Sequence, residues 1–192
     1  MIVMRRLLIL YSAGVGLVFC HSESAGAEPD WRLEGVAEWQ ARDSQAEWVF
    51  NGRMWIGGGW FQSHTEPPRD VWSSRDGKTW SLVRADAPWL HSDLPMSLTF
   101  AGRMWLMGGW YKGRLPGHSA SNQVWSSLDG VEWEQHTAGA GWSPRLAAGL
   151  VEHRGRMWLL GGSENYYFGD DSSLRNDVWS SEDGRIWRRE LE

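Results

Sequence analysis

A segment of about fifty residues occurs three times in this chain of 192 residues, and this repetition limits the folds that the chain can adopt. Each copy contains Gly-Arg-Met-Trp followed by a pair of glycines, then Val-Trp-Ser-Ser, and then Asp-Gly-x-x-Trp. The Gly-Arg-Met-Trp segments begin at Gly52, Gly102 and Gly155, and equivalent residues are 50 to 54 positions apart. Because a constant period of this length is typical of folds built from stacked structural units, we expect each repeat to form one such unit.

Tryptophan is the residue type that the repeats share most often. Twelve of the 16 tryptophans occupy four equivalent positions in the three copies. They are Trp39, Trp89 and Trp142; Trp55, Trp105 and Trp158; Trp72, Trp125 and Trp179; and Trp80, Trp133 and Trp187. The repeats run approximately over residues 39–88, 89–141 and 142–192. Since large aromatic side chains supply much of the apolar surface of a core, we expect them to hold the units together.

Each repeat contains four short strand patterns, which we call a to d. Strand a is the apolar stretch before the first glycine, at residues 48–50, 98–100 and 149–151. Asn51-Gly52 and its equivalents predict a tight turn into strand b. Strand b is apolar at consecutive positions, which indicates that both of its faces are buried.

The second half of each repeat predicts a further hairpin. Strand c contains Val-Trp-Ser-Ser, and the Asp-Gly that follows predicts a two-residue turn into strand d. Strand d carries the last tryptophan of each repeat, Trp80, Trp133 or Trp187. No segment has a helical periodicity of useful length, so the predicted fold class is all-β.

The glycine pairs and the spaced tryptophans resemble the kelch repeat, in which a Gly-Gly pair after the second strand precedes two aromatic residues. The glycine pairs are Gly58-Gly59, Gly108-Gly109 and Gly161-Gly162, and the aromatic pairs are Trp72 and Trp80, Trp125 and Trp133, and Trp179 and Trp187. Over roughly residues 39–192 the chain is similar to bacterial exported kelch proteins related to the central domain of galactose oxidase. The resemblance implies β-propeller blades, here three four-stranded kelch-type repeats forming a partial propeller. Two departures are tryptophan in place of the usual first tyrosine, and Ser92 where the other repeats have Arg42 and Arg145.

The Ser-x-Asp-Gly-x-x-Trp segment that begins at Ser74, like its two equivalents, also resembles the Asp-box of sialidases. That motif has one more residue between the aspartate and the glycine. In both motifs the serine and aspartate side chains can accept hydrogen bonds from backbone amides of the turn. We therefore predict that these serines and aspartates form turns and do not act in catalysis.

Three blades are too few for a closed propeller, because known propellers contain about four to eight. An open stack leaves an apolar blade face uncovered at each end. Trp31 stands eight residues before Trp39, near the position of a strand d, so residues 28–38 are interpreted as an N-terminal strand or linker. Two expectations remain open: the chain is a truncated relative of a longer propeller, or two copies form a homodimer of six blades.

Residues 1–27 have the pattern of a secretory signal peptide. Arg5 and Arg6 precede an apolar run from Leu7 to Phe19, and Ala25-Gly26-Ala27 offers small residues for cleavage. This run is shorter than a membrane-spanning helix requires, so we predict a secreted or periplasmic protein cleaved near Ala27. Lipidation at Cys20 is the alternative, and the bulky Phe19 before it argues against it.

The expected mature chain has no cysteine and is mildly acidic. Loss of residues 1–27 would take the net charge from −5 to −6 and would remove Cys20, the single cysteine. No basic face is predicted, which argues against nucleic acid as a partner. Stability without disulfides must then come from burial, for which the tryptophans are suited.

The connections between strands b and c differ most between the repeats, so we expect them to carry binding specificity. They run over residues 60–70, 110–123 and 163–177. The candidate ligand-binding residues in these loops are Trp60, His64, Trp110, Arg114, His118, Tyr166 and Tyr167. Aromatic rings beside polar groups can stack on sugars or anchor a protein, although Trp60 and Trp110 could equally close the end of strand b. Arg42 and Arg145 are further candidates, either for a carboxylate-bearing sugar or for an ion pair within the fold.

The sequence favours a non-catalytic, exported binding module for a glycan or a protein. Chemistry of the galactose oxidase type needs a crosslinked cysteine, which the mature chain lacks. A sugar mutarotase or epimerase of the N-acetylneuraminate epimerase type is the alternative that the kelch resemblance implies. The histidines have no spacing typical of metal ligands, so neither a metal nor another cofactor is predicted. We name no catalytic residue.

Overall fold

The computed structural model describes residues 31–62, 64–166 and 170–191. The chain divides into two compact units, Met1–Leu33 and Glu34–Glu192. Of the first unit only residues 31–33 are described, and all three are exposed. The predicted signal peptide, with Cys20, lies outside the described residues. Among the described residues, no helix is long and apolar enough to cross a membrane.

The second unit is all-β and contains three four-stranded antiparallel sheets. Sheet 1 consists of β1 (Ala46–Phe50), β2 (Arg53–Gly57), β3 (Val71–Ser74) and β4 (Trp80–Arg84). Sheet 2 consists of β5 (Met96–Phe100), β6 (Arg103–Met107), β9 (Val124–Ser127) and β10 (Trp133–Thr137), and β7 (Trp110–Tyr111) pairs with β8 (Ser119–Ala120) in the loop between β6 and β9. Sheet 3 consists of β11 (Gly149–His153), β12 (Arg156–Ser163), β13 (Leu174–Ser181) and β14 (Arg188–Leu191), and a 3₁₀ turn at Asp171–Ser173 precedes β13. In each sheet the strands pair in chain order, as the four strand patterns predicted.

The turn between the first two strands of each sheet is the tight hairpin that the sequence predicted. Phe50 pairs with Arg53, so Asn51 and Gly52 alone form the turn. Their φ angles are 48° and 66°, and the equivalent residues of the other two sheets have nearly the same values. Both central residues of a type I′ turn need positive φ, which glycine adopts without strain.

The turn between the last two strands differs from the prediction. Ser74 pairs with Trp80, so residues 75–79 form a longer loop and the expected two-residue hairpin was wrong. The reason is side-chain hydrogen bonding within the loop. Oγ of Ser74 accepts from the amide of Gly77 at 2.9 Å, and Oδ1 of Asp76 accepts from two further amides at 2.8 and 2.9 Å. The same bonds occur in sheets 2 and 3, which confirms the predicted turn-forming role of these serines and aspartates.

The first serine of Val-Trp-Ser-Ser makes a hydrogen bond across the sheet and not within the turn. It bonds the arginine of Gly-Arg-Met-Trp across the sheet, from Nη1 of Arg103 to Oγ of Ser126 at 3.0 Å and from Nη1 of Arg156 to Oγ of Ser180 at 3.0 Å. The repeated arginine and the two repeated serines are therefore explained by hydrogen bonds within each sheet.

Tryptophans join one sheet to the next. An apolar cluster that includes Trp48, Trp55, Met104 and Leu106 draws its members from sheets 1 and 2. A second cluster draws Trp105, Met107, Met157, Leu159 and others from sheets 2 and 3. The predicted burial of strand b on both faces is confirmed for β6, whose Met104–Met107 are at most 3% exposed. Burial of this kind is the main stabilising contribution available to a chain of stacked sheets.

The tryptophan of β2 and that of β6 make the same contact with the following sheet. A methyl group added to Gly130 would lie 2.5 Å from Cζ3 of Trp55, and one added to Gly184 would overlap the ring of Trp105. Each glycine belongs to the Asp-Gly segment of the neighbouring sheet. The repeated Asp-Gly therefore serves the packing between sheets as well as the turn.

Replacing Gly184 by alanine tests this contact. Alanine at φ +73° costs about 1 to 2 kcal/mol through backbone strain, and the overlap with Trp105 adds about 1 to 3 kcal/mol. Gly155→Ala is the matched control, because Gly155 has φ +72° and no neighbouring atom within 4 Å of the added methyl group. We expect urea unfolding to show a larger loss of stability for Gly184→Ala. Equal losses in the two variants would contradict the contact.

Candidate functional site

Isolated backbone bridges tie each loop between the second and third strands to the residues that precede the first strand of its sheet. Asp43 pairs with Trp60, Asp93 with Trp110, and Leu146 with Ser163. Adjacent loops also contact each other, because the hydroxyl of Tyr111 donates to Glu66 at 2.5 Å. The predicted variable loops of sheets 1 and 2 therefore lie side by side.

Three predicted site residues come together in a stack of rings. The ring centroid of Trp110 lies 5.2 Å from that of His118, at an interplanar angle of 24°. The ring centroid of Tyr166, on the next loop, lies 6.0 Å from that of Trp110, at an interplanar angle of 23°. Trp110 is 3% exposed, and its indole N–H donates to the carbonyl of Gly113 at 2.7 Å. Trp110 thus closes the end of the core, as its alternative interpretation held, and it also supports the half-buried ring of Tyr166.

Tyr166 lines a cleft of about 300 Å³ between sheets 2 and 3. One wall is apolar and contains Leu94, Leu146 and Ala147. The other wall is polar and contains Asn165 and Asp170, joined by a hydrogen bond of 2.9 Å from Nδ2 to Oδ2. One aromatic ring, an apolar wall and several hydrogen-bonding groups are typical of a small-ligand site.

Asp93 is a buried carboxyl beside this cleft that the sequence did not single out. It is 0% exposed, and neither carboxylate oxygen has a hydrogen-bond partner among the described residues. It precedes Leu94 of the cleft wall, and its backbone pairs with Trp110 through bonds of 2.7 and 3.2 Å. Burial raises the pKa of the Asp93 carboxyl to about 7, and the negative charge of Asp43 adds to the rise. Asp93 therefore titrates near neutral pH, which an ordinary aspartate does not.

The electrostatic surroundings connect Asp93, Tyr166 and a predicted arginine. Burial raises the pKa of the Tyr166 phenol, and the negative charges of Asp93 and Asp43 contribute to the rise. The positive charge of Arg114, an exposed residue, acts in the opposite direction. The hydroxyl of Tyr166 therefore stays protonated over the physiological range and can donate a hydrogen bond.

Arg42 and Arg145 are held inside their own sheets. Arg145 is 0% exposed, and its Nη1 and Nη2 bind the two carboxylate oxygens of Asp177 at 2.5 and 3.0 Å. The remaining N–H groups donate to the carbonyl of Gly161 and to Ser143. Arg42 binds Asp70 in the same way. The structure thus places both arginines in ion pairs that fasten the variable loops, and in Arg145 all five N–H groups are engaged within the fold.

Sheet 2 replaces both members of this ion pair together. Ser92 stands for the arginine, and Gln123 stands for the aspartate. A change of one partner alone would leave a buried charge without compensation, which is strongly destabilising. The paired change explains why the arginine series is interrupted at Ser92.

Trp60 and His64 do not line the cleft. Trp60 is half-buried against Asp43, and its indole N–H is buried with no partner among the described residues. His64 is exposed in the loop of sheet 1, and Tyr167 lies outside the described residues. His91, which the prediction did not include, bonds Ser119 at 3.0 Å on the sheet 2 loop. Over residues 31–62, 64–166 and 170–191, no three His, Cys, Asp or Glu side chains are grouped as metal ligands.

The ion pair between Arg145 and Asp177 can be tested by introducing the residues that sheet 2 has at these positions, serine and glutamine. Arg145→Ser should cost about 3 to 5 kcal/mol of unfolding free energy, because it leaves Asp177 buried without its partner. The double variant Arg145→Ser with Asp177→Gln should recover most of this loss. Denaturant unfolding measures both variants, and additive losses would contradict a coupled pair.

The carboxyl of Asp93 should make the stability depend on pH. An unfolded aspartate titrates near pH 4, whereas burial holds the pKa of Asp93 at about 7 in the folded protein. Between these values the unfolded chain releases its proton while the folded chain keeps it. The free energy of unfolding should therefore fall by up to about 4 kcal/mol as the pH rises from about 4 to about 7. Urea titrations should show this fall in the parent protein and not in Asp93→Asn, and the same fall in both would contradict it.

Comparison with known proteins supplies no family for this chain. No family model matches it, and no curated protein matches it. The kelch resemblance therefore depends on the repeated residues themselves. What the structure establishes is coarser: the part of the chain that it describes is all-β and contains three four-stranded antiparallel sheets, none of them closed.

Proposed function

We propose that this protein is a kelch-type, propeller-like binding module that recognises a neutral glycan through the loops between its second and third strands. The observation that carries the proposal is the cleft of about 300 Å³ beside Tyr166. The ring of Tyr166 stacks on that of Trp110, so it can offer a flat apolar surface in a fixed orientation. Sugars present flat C–H faces that stack on such rings.

The polar groups of the cleft favour a ligand rich in hydroxyl groups. The side chains of Asn165, Asp170 and Asp171 provide acceptors, and the Tyr166 hydroxyl provides a donor. The negative charges of these aspartates argue against an anionic sugar. Arg42 and Arg145, which would have favoured an anionic sugar, are engaged elsewhere. A neutral sugar satisfies these constraints better than an acidic one.

The propeller-like architecture is part of the proposal. Supporting it are three sheets paired in chain order and stacked through equivalent tryptophans. The first strands of sheets 1 and 2 also adjoin, because Ser97 and Thr99 donate to carbonyl groups of β1 at 3.1 and 3.0 Å. In propellers the first strands surround the central channel and the connecting loops form the ligand face. We further propose export of the protein, on the basis of the leader pattern of residues 1–27.

A sugar mutarotase is the second candidate, and Asp93 is the observation that favours it. A carboxyl with a pKa of about 7 can exchange protons with a substrate at neutral pH. Its burial favours binding over catalysis, because neither carboxylate oxygen has a hydrogen-bond partner among the described residues that could relay a proton to the cleft. The two functions differ in whether the bound sugar changes its anomeric form.

Binding to an array of neutral glycans tests the proposal. Tyr166→Ala should weaken the binding of a retained sugar about two- to tenfold, because stacking on one ring contributes about 0.5 to 1.5 kcal/mol. Tyr111→Ala is the matched control, since Tyr111 lies on the neighbouring loop and bonds Glu66. Retention of no glycan, or equal losses in both variants, would contradict the proposal. Interconversion of anomers by the parent protein, lost in Asp93→Asn, would favour the mutarotase instead.

A further inference from the structure

The contact between adjacent sheets occurs twice in this protein with the same components. The indole of Trp55 packs on Gly130, and the indole of Trp105 packs on Gly184. Each indole is oriented by its own N–H, which donates to the carbonyl of Phe50 or Phe100 at 3.0 and 2.9 Å. The contact therefore has a donating face, which carries the tryptophan, and a receiving face, which carries the glycine.

Sheet 3 presents a third donating face, on which no further sheet packs among the described residues. Trp158 occupies the position of Trp55 and Trp105, and its N–H donates to the carbonyl of His153 at 3.1 Å. Beside it Leu160 is 40% exposed, whereas Met107, its equivalent in sheet 2, is 0% exposed. The tryptophan is thus held in the orientation of the other two while its apolar surroundings face outward.

Sheet 1 presents the third receiving face. Gly77 has φ +75°, close to the +77° and +73° of Gly130 and Gly184, but no tryptophan of the described chain packs on it. An open cleft of about 420 Å³ lies there, lined by Gly77, Trp39 and Trp80 among others. Met54 at this face is 38% exposed, whereas the equivalent Met104 is 0% exposed.

Backbone hydrogen bonds also join each sheet to the one before it, from an amide of the later sheet to a carbonyl of the earlier one. The amide of Leu94 donates to the carbonyl of Ser44, and the amide of Ala147 donates to the carbonyl of Leu94, each at 3.0 Å. Among the described residues the amide of Ser44 and the carbonyl of Ala147 have no backbone partner. Sheet 1 therefore has an amide without a backbone partner, and sheet 3 has a carbonyl that could accept the equivalent hydrogen bond.

We infer that the outer face of sheet 3 binds the outer face of sheet 1 in a second copy of this chain, with Trp158 packed on Gly77. A second copy is the occupant that the structure supports, because it carries the same surface that this protein already pairs with each donating face. Since every copy has one face of each kind, two copies joined head to tail make two identical contacts and form a ring of six sheets. The inference is independent of the proposed glycan site.

Sedimentation at several concentrations tests the association in the purified protein. The parent protein should have twice the mass of one chain. Met54→Glu on sheet 1 and Leu160→Glu on sheet 3 should each raise the dissociation constant at least about a hundredfold, because each places an unpaired charge in the contact. Both residues are exposed in the single chain, so each variant should still fold, and circular dichroism checks this. Leu128→Glu is the control, since Leu128 is 56% exposed in the turn of sheet 2 and should leave the mass unchanged.

Mixing the two variants tests the head-to-tail arrangement. The Met54→Glu chain keeps an intact sheet 3 face, and the Leu160→Glu chain keeps an intact sheet 1 face. The mixture should therefore form pairs at concentrations where each variant alone is monomeric. A monomeric parent protein, a dimer unaffected by either substitution, or a mixture that remains monomeric would overturn the inference. A larger assembly that both substitutions dissolve would overturn the ring of two copies.

Discussion

The packing of a tryptophan from one sheet on a glycine of the next is the interaction on which the rest of the structure depends. The indole fits because the neighbouring turn carries no side chain at Gly130 or Gly184. The same glycines adopt positive φ in loops held by serine and aspartate. Glycine thus meets two requirements at once, the positive φ of the turn and the space for the indole ring, which accounts for the recurrence of Asp-Gly in every repeat. With the sheets stacked in this way, the variable loops lie beside one another.

The candidate site uses the places where the repeats differ. Two sheets fasten the loop after the second strand with an ion pair, and sheet 2 has Ser92 and Gln123 at the two equivalent positions. Next to Ser92 lies Asp93, a buried carboxyl without a partner among the described residues. An uncompensated polar group of this kind reduces stability, and such groups are concentrated at functional sites. The departure from the repeat and the cleft therefore occur in the same part of the molecule.

Much of the fold could be predicted from the sequence, because equivalent residues form equivalent local structures. The strands and the Asn51-Gly52 turn follow from the glycines and the apolar pattern. The loop at residues 75–79 did not, because hydrogen bonds from Ser74 and Asp76 outweighed the hairpin preference of Asp-Gly. The cleft could be predicted only in part. Tyr166 stood in a variable loop, whereas the importance of Asp93 depends on burial between stacked sheets, which spacing along the chain does not reveal.

The most direct test of this account is the distance between each glycine and the tryptophan that packs on it. Nuclear Overhauser effects measured by NMR report such distances between protons. In stacked sheets we expect strong effects between the α protons of Gly184 and the ring of Trp105, and between those of Gly130 and the ring of Trp55. Their absence, or effects from Gly184 to the ring of Trp158 in its own sheet, would contradict the stacking of the sheets.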